Sequence, residues 1–255
     1  MSREGWNGHL GKWAAEAAGS AALVFAALTA LSVSMRPGAP LAGWPLHVRL
    51  LVVGLAVGCT VAAFASSPLG ERSGAHLNPA VTLFMTLRGL LAVSDLVGYT
   101  FFQLAGSVIG VLGARWVWGP RMVGVQDGVI QPAAGWPVLA VAISEMLSTV
   151  VLLLALAWLT TRPRGGLVPW ANAALVAGLI VATGAGGGGS FNPARNFGPQ
   201  LLTGEYRYFW TYLLAPLLGA AFAAAGLRVL RVLPPSTHKL CINQEVPATV
   251  VGAVR

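Results

Sequence analysis

The chain has 255 residues, of which 56% are apolar and only 9% charged, with a mean hydropathy of +0.71. A soluble domain carries about 25% charged residues, so this composition argues against one and points to a protein of the bilayer. The net charge of +8 would suit a nucleic-acid partner, but its distribution along the chain argues against that partner.

Six apolar runs approach or exceed the ~20 residues that cross a membrane. They cover about 13–33, 48–66, 96–116, 138–159, 171–185 and 209–232. The fifth is the least sharply bounded, because it dissolves into a glycine run. The first is too long for the apolar core of a signal peptide, carries Glu16 and lacks a clear processing site, so it reads as a retained span. The nine tryptophans, among them Trp13, Trp44, Trp116, Trp136, Trp170 and Trp210, lie near span ends, as in an aromatic belt.

With the N-terminus inside, the cytoplasmic side collects Arg3, Lys12, Arg72, Arg88, Arg162, Arg164, Arg228, Arg231, Lys239 and Arg255. The opposite side holds Arg36, Arg49, Arg115, Arg121 and Arg207, with Arg195 set aside. Ten against five is the positive-inside pattern. Both termini are therefore expected in the cytoplasm, with a tail over 233–255, and the basic charge reports topology.

A stretch broken by Gly, Pro and polar residues over 120–137 divides the chain. Each half has a span with an early glutamate (Glu16, Glu145), a second span, a short segment with Asn-Pro-Ala, and a third span. Three spans per half is odd, so the second copy must lie upside down. The expected organisation is one domain over 1–255, with inverted repeats at about 10–119 and 137–232. Such repeats place a functional site near the bilayer midplane, where broken helices meet.

The two short segments, "SGAHLNPAVT" at 73–82 and "GGSFNPARNFGP" at 188–199, explain the break. One Asn-Pro alone would read as a turn. Two copies, each after one apolar run and each opening a short apolar segment, read as helix starts. Asn is a favoured N-cap and Pro is favoured at the first helical position. Each segment allows a half-helix of roughly ten residues, about 15 Å long. Two such half-helices entering from opposite faces would form a seventh, split span. Their positive dipole ends would oppose a cation at the midplane, and the Asn78 and Asn192 amides would offer donors to a neutral, hydroxyl-bearing solute.

"AHLNPAVT" and "FNPARNFGP" resemble the paired signatures of the aquaporin, or major intrinsic protein, family. The resemblance covers nearly the whole chain. It implies an all-α membrane protein of six transmembrane helices and two re-entrant half-helices, a passive channel with no cofactor and no metal. It also implies a homotetramer in the lipid bilayer with a pore in each subunit, here expected in the plasma membrane. The pore motifs would be Asn78, Pro79, Ala80 and Asn192, Pro193, Ala194. Glu16 and Glu145 would accept hydrogen bonds from the backbone leading into the half-helices; direct proton-coupled work by a carboxylate is the alternative. His76 reads either as a gate at the inner mouth or as a hydrogen-bonded vestibule residue.

Arg195 would add donors and a positive barrier to an outer constriction, or else snorkel to the interface. The family's pattern adds Ile180, Gly189 and Val57 to that ring, with Gly58 as the alternative to Val57. An aromatic residue in span two and a histidine in span five, which strict water channels share, are both missing. Glycerol facilitators usually have aspartate where Asn196 stands. "YLLAP" has Tyr212 in the water-channel manner and Leu213 in the glycerol-channel manner. A wide, apolar ring with one charge resembles the plant nodulin-26-like branch and its bacterial relatives, which pass metalloid hydroxides and small uncharged solutes such as glycerol.

Other signals are weaker. Gly186–Gly189 has no following Lys-Ser/Thr, so a phosphate loop is not supported. Gly54-x-x-x-Gly58 and Gly106-x-x-x-Gly110 read as close helix packing. Cys59 and Cys241 suggest no disulfide, and His9, His47, His76 and His238 have no zinc spacing. A secondary transporter is the rival class. An intramembrane enzyme finds no HExxH or GxSxG.

Overall fold

The computed structural model describes residues 3–161, 165–230 and 238–240. Among these residues there are helices and no strand. In chain order they are α1 (Arg3–Ser34), α2 (Leu46–Ala65), the short α3 (Pro68–Ser73), α4 (Pro79–Leu87) and α5 (Val93–Trp118). A 3-10 segment (Gly119–Gly128) leads on to α6 (Val138–Thr160), α7 (Val168–Gly187), α8 (Pro193–Thr203) and α9 (Phe209–Val229). Six of them, α1, α2, α5, α6, α7 and α9, are long and apolar enough to cross a membrane. The short α4 and α8 are the half-helices.

The bounds differ from the sequence reading where polar residues are held by tertiary contacts. Helix α1 begins well before residue 13, because His9 Nδ1 and Trp13 Nε1 reach Asp95 Oδ1 on α5 at 2.6 and 2.9 Å. Helix α7 takes in Gly186 and Gly187 before Gly188 ends it in the left-handed region. Helix α3, capped by Ser67, has no counterpart among the expected elements. The expected end of span six, and all of the tail except 238–240, lie outside the described residues.

Helix pairing repeats between the halves. Helix α1 packs on α5 as α6 packs on α9, and α2 meets α7 in the middle. The half-helices cross over: α4 rests on α9 and α8 on α5, each against the other half. Close approach depends on glycine. A Cβ on Gly54 would stand 2.7 Å from Ala177 Cα, and one on Gly58 would stand 2.5 Å from the Ala173 carbonyl oxygen. Gly106 and Gly110 meet the Ala17 and Ala21 carbonyls of α1 in the same way. Outside, Leu55, Phe101, Ile109, Leu147 and Phe222 are exposed, as suits helices standing in lipid.

Candidate functional site

The site is built from the two loops that enter α4 and α8. Asn78 and Asn192 are both extended N-caps followed by proline. Asn78 Oδ1 accepts from the Ala80 N–H at 2.9 Å, and Asn192 Oδ1 from the Ala194 N–H at 3.0 Å. Pro79, Ala80, Pro193 and Ala194 form the buried first turns. The residue before each asparagine, Leu77 (φ 49°) or Phe191 (φ 34°), is forced into the left-handed region. For bulky residues such strain persists only where surroundings hold it.

What holds it is a pair of buried carboxylates. Glu16 Oε1 and Oε2 accept from the His76 and Leu77 N–H groups at 3.0 and 2.7 Å. Glu145 Oε1 and Oε2 accept from the Ser190 and Phe191 N–H groups at 2.8 and 2.6 Å. Each loop thus turns two backbone donors onto one side chain from the adjoining span, leaving its carbonyls for other partners. Gln103 on α5 supports the first arrangement, donating Nε2 to Glu16 Oε2 at 2.7 Å and to Thr82 Oγ1 at 3.0 Å. The sequence reading missed Gln103; the available signal was a lone amide within an apolar span.

The loops then interlock. Asn78 Nδ2 donates to the Phe191 carbonyl and Asn192 Nδ2 to the Leu77 carbonyl, both at 2.9 Å. The half-helices therefore meet N-terminus to N-terminus. Each amide carries two N–H bonds, so one ties the loops while the second can serve a solute.

A cavity of about 430 Å³ runs past this junction. Its lining brings together Val57, His76, Asn78, Ile180, Gly189, Asn192 and Arg195. Val57 is in the wall, whereas Gly58 turns to Ala173 on α7. Gly189 offers backbone, because a Cβ there would point at Thr183 and Ile180. Glu16 and Glu145 stand behind the loops, outside the lining.

Arg195, only 8% exposed, lies one turn beyond Asn192 and donates Nη1 to the Gly128 carbonyl. Asn196 Oδ1 accepts from the Ile130 N–H at 2.9 Å, so adjacent residues of α8 clamp the segment that leads into α6. Arg115 presents that segment, with Nη2 2.8 Å from Asp127 Oδ2 and 3.0 Å from the Leu202 carbonyl. Tyr212 secures the end of α7 by donating its hydroxyl to the Gly187 carbonyl at 2.9 Å. At the other end of the cavity, His76 Nε2 donates to the His238 carbonyl at 2.8 Å, and Nδ1 lies 3.3 Å from Thr82 Oγ1. Sequence spacing had left His76 and His238 unrelated. Among the described residues no cluster of His, Cys, Asp or Glu could hold a metal.

A polar path fixed by backbone and buried caps, running between helices made to stand in lipid, defines a membrane channel. The model of the major intrinsic protein family matches residues 6–226. Probable aquaporin TIP2-2 of Arabidopsis thaliana is 31% identical over 210 residues, 79% of this chain and 76% of its own. Aquaporin-8 of Mus musculus is 33% identical over 189 residues, 71% of this chain and 69% of its own. The X-ray structure of the aquaglyceroporin from Plasmodium falciparum superposes with a TM-score of 0.71 at 20% identity, covering 88% of this chain and 97% of that one. At that identity the likeness is one of fold. The chain belongs to the major intrinsic protein family, whose members are channels and not enzymes. It is a multi-pass integral membrane protein that passively conducts water and small solutes.

Proposed function

We propose that this channel passes water together with small uncharged hydroxyl-bearing solutes, glycerol or metalloid hydroxides such as arsenous acid. The supporting observation is the cavity wall: Val57 and Ile180 are aliphatic, Gly189 adds only backbone, and Arg195 supplies the charge. A ring so composed binds a hydroxyl at the guanidinium while leaving room for an apolar flank. Asn78 and Asn192, in the first turns with Pro79, Ala80, Pro193 and Ala194, form the second polar station. Dipole ends and amide donors there orient each molecule and oppose cations. Glu16 and Glu145 hold the loops, and His76 closes the hydrogen bonding of the inner one.

In this reading the chain is one channel domain with inverted repeats over about 10–119 and 137–232. It assembles as a homotetramer in the plasma membrane, with both termini cytoplasmic. Stopped-flow light scattering on proteoliposomes, comparing water, glycerol and arsenous acid, tests it. Passage of all three without saturation or dependence on an ion gradient is expected. Water alone would mark a strict water channel, and saturable, gradient-driven flux a transporter.

A further inference from the structure

Residues 238–240 lie against the loop that feeds α4, at the inner end of the cavity. The Leu240 N–H donates to the Gly74 carbonyl at 3.1 Å, and the His238 carbonyl accepts from His76 at 2.8 Å. The His238 and His76 rings meet edge to face with centroids 5.9 Å apart. Gly74, at φ +94°, fits this contact: a Cβ there would stand 2.7 Å from the His238 carbonyl oxygen. Between these ties Leu240 is 2% exposed, sits in the cavity wall and joins the apolar core that includes Val61, Val81, Leu156 and Val176.

None of these contacts is needed to build the pore, whose loops are already fixed by Glu16 and Glu145. One backbone–backbone hydrogen bond and one from the His76 ring give the segment a register, and they aim one leucine at the mouth. An aliphatic side chain in an apolar constriction interrupts a water file, because it offers no donor or acceptor.

We propose that the inner mouth is a docking site for the chain's own segment His238–Leu240, and that the docked segment closes the pore. This goes beyond the choice of solute and holds for any molecule the pore conducts.

The test uses the full chain in proteoliposomes, with water flux normalised to folded protein. Leu240→Asp places a charge in the apolar mouth and should raise flux about three- to tenfold, as a mostly closed population opens. Leu240→Ala should give a smaller rise. A synthetic peptide of residues 236–246, present on both sides, should return Leu240→Asp to the parental flux, and a scrambled peptide should not. Amide exchange at Leu240 should be slow in the parent and fast in Leu240→Asp. Equal flux in the parent and both folded variants overturns the proposal, as does unprotected exchange at Leu240 in the parent. If Leu240→Asp does not fold, Leu240→Ala and the exchange measurement decide. The solute reading fails separately, on the parent's own water-to-glycerol ratio.

Discussion

Asn78 and Asn192 complete each other's loops: each donates its side-chain amide, at 2.9 Å, to the carbonyl preceding the other. The capping oxygen of each stays within its own half-helix. The same two side chains therefore start two helices, join two halves of the chain and line the cavity.

Asn78→Asp separates these roles. Aspartate still caps α4, but it loses the donor to Phe191 and sets a negative charge at the junction. The expected result is a folded channel destabilised by about 1–3 kcal/mol, with lower water flux and a measurable cation conductance. Thermal melting with ion flux across proteoliposomes checks this; unchanged melting and cation exclusion would remove the crossing bond from the mechanism.

Glu145→Gln keeps the shape and changes the chemistry. An amide nitrogen would face one of the two N–H donors of Ser190 and Phe191, leaving a buried donor without an acceptor. A loss of about 2–4 kcal/mol is expected, with collapse of flux, because Phe191 loses what holds its left-handed backbone. Parental melting temperature and flux in this variant would show that the carboxylate is dispensable.

Val57 and Gly58 should respond in opposite ways to phenylalanine. Val57→Phe with Ile180→His should fold, keep water flux and lower glycerol or arsenous acid flux, because both enlarged side chains enter the cavity. Gly58→Phe should fail to assemble, since its first carbon already meets the Ala173 carbonyl. Expression and size-exclusion profiles separate the two, and the solute-to-water ratio of the double variant tests the ring.

Arg195→Val should leave the fold intact while admitting larger solutes and some cations. The Gly128 carbonyl loses its donor, and the cavity loses its buried positive charge. A solute profile and cation leak equal to the parent's would exclude Arg195 from selection.

The docked tail should also respond to pH. Burial pushes the His238 imidazole down to about 4, with His76, Lys12 and Lys239 adding to the shift and Asp95 opposing it. The free tail thus binds a proton more readily than the docked one. Docking is fully held above the ordinary histidine value of about 6.5 and is lost as pH falls toward the depressed value. Water flux should rise on acidification of the tail side, and His238→Phe, which keeps a ring against His76, should abolish that rise.

The half-helices were legible because Asn-Pro carries its own capping chemistry, and Glu16 and Glu145 because a charge in an apolar run needs a partner. The six spans were legible from hydropathy alone. What stayed hidden depends on contacts between distant segments. Gln103 meets Glu16 across an intervening span and a half-helix, and Arg115 counted only as an outer-side charge until it met Asp127. The choice between Val57 and Gly58 turned on the rotation of α2, which hydropathy does not report. The tail contact required a carbonyl of His238 to find a ring of His76, and no spacing rule encodes that.

The crossing bonds also set a timetable. The Leu77 carbonyl and Asn78 are synthesised long before Phe191 and Asn192, and at 5–20 residues per second the gap is roughly ten seconds. Throughout it α4 has its cap and its glutamate, yet its second anchor does not exist. The first half of the newborn chain therefore lacks its crossing partners until the last third of translation has delivered Phe191 and Asn192.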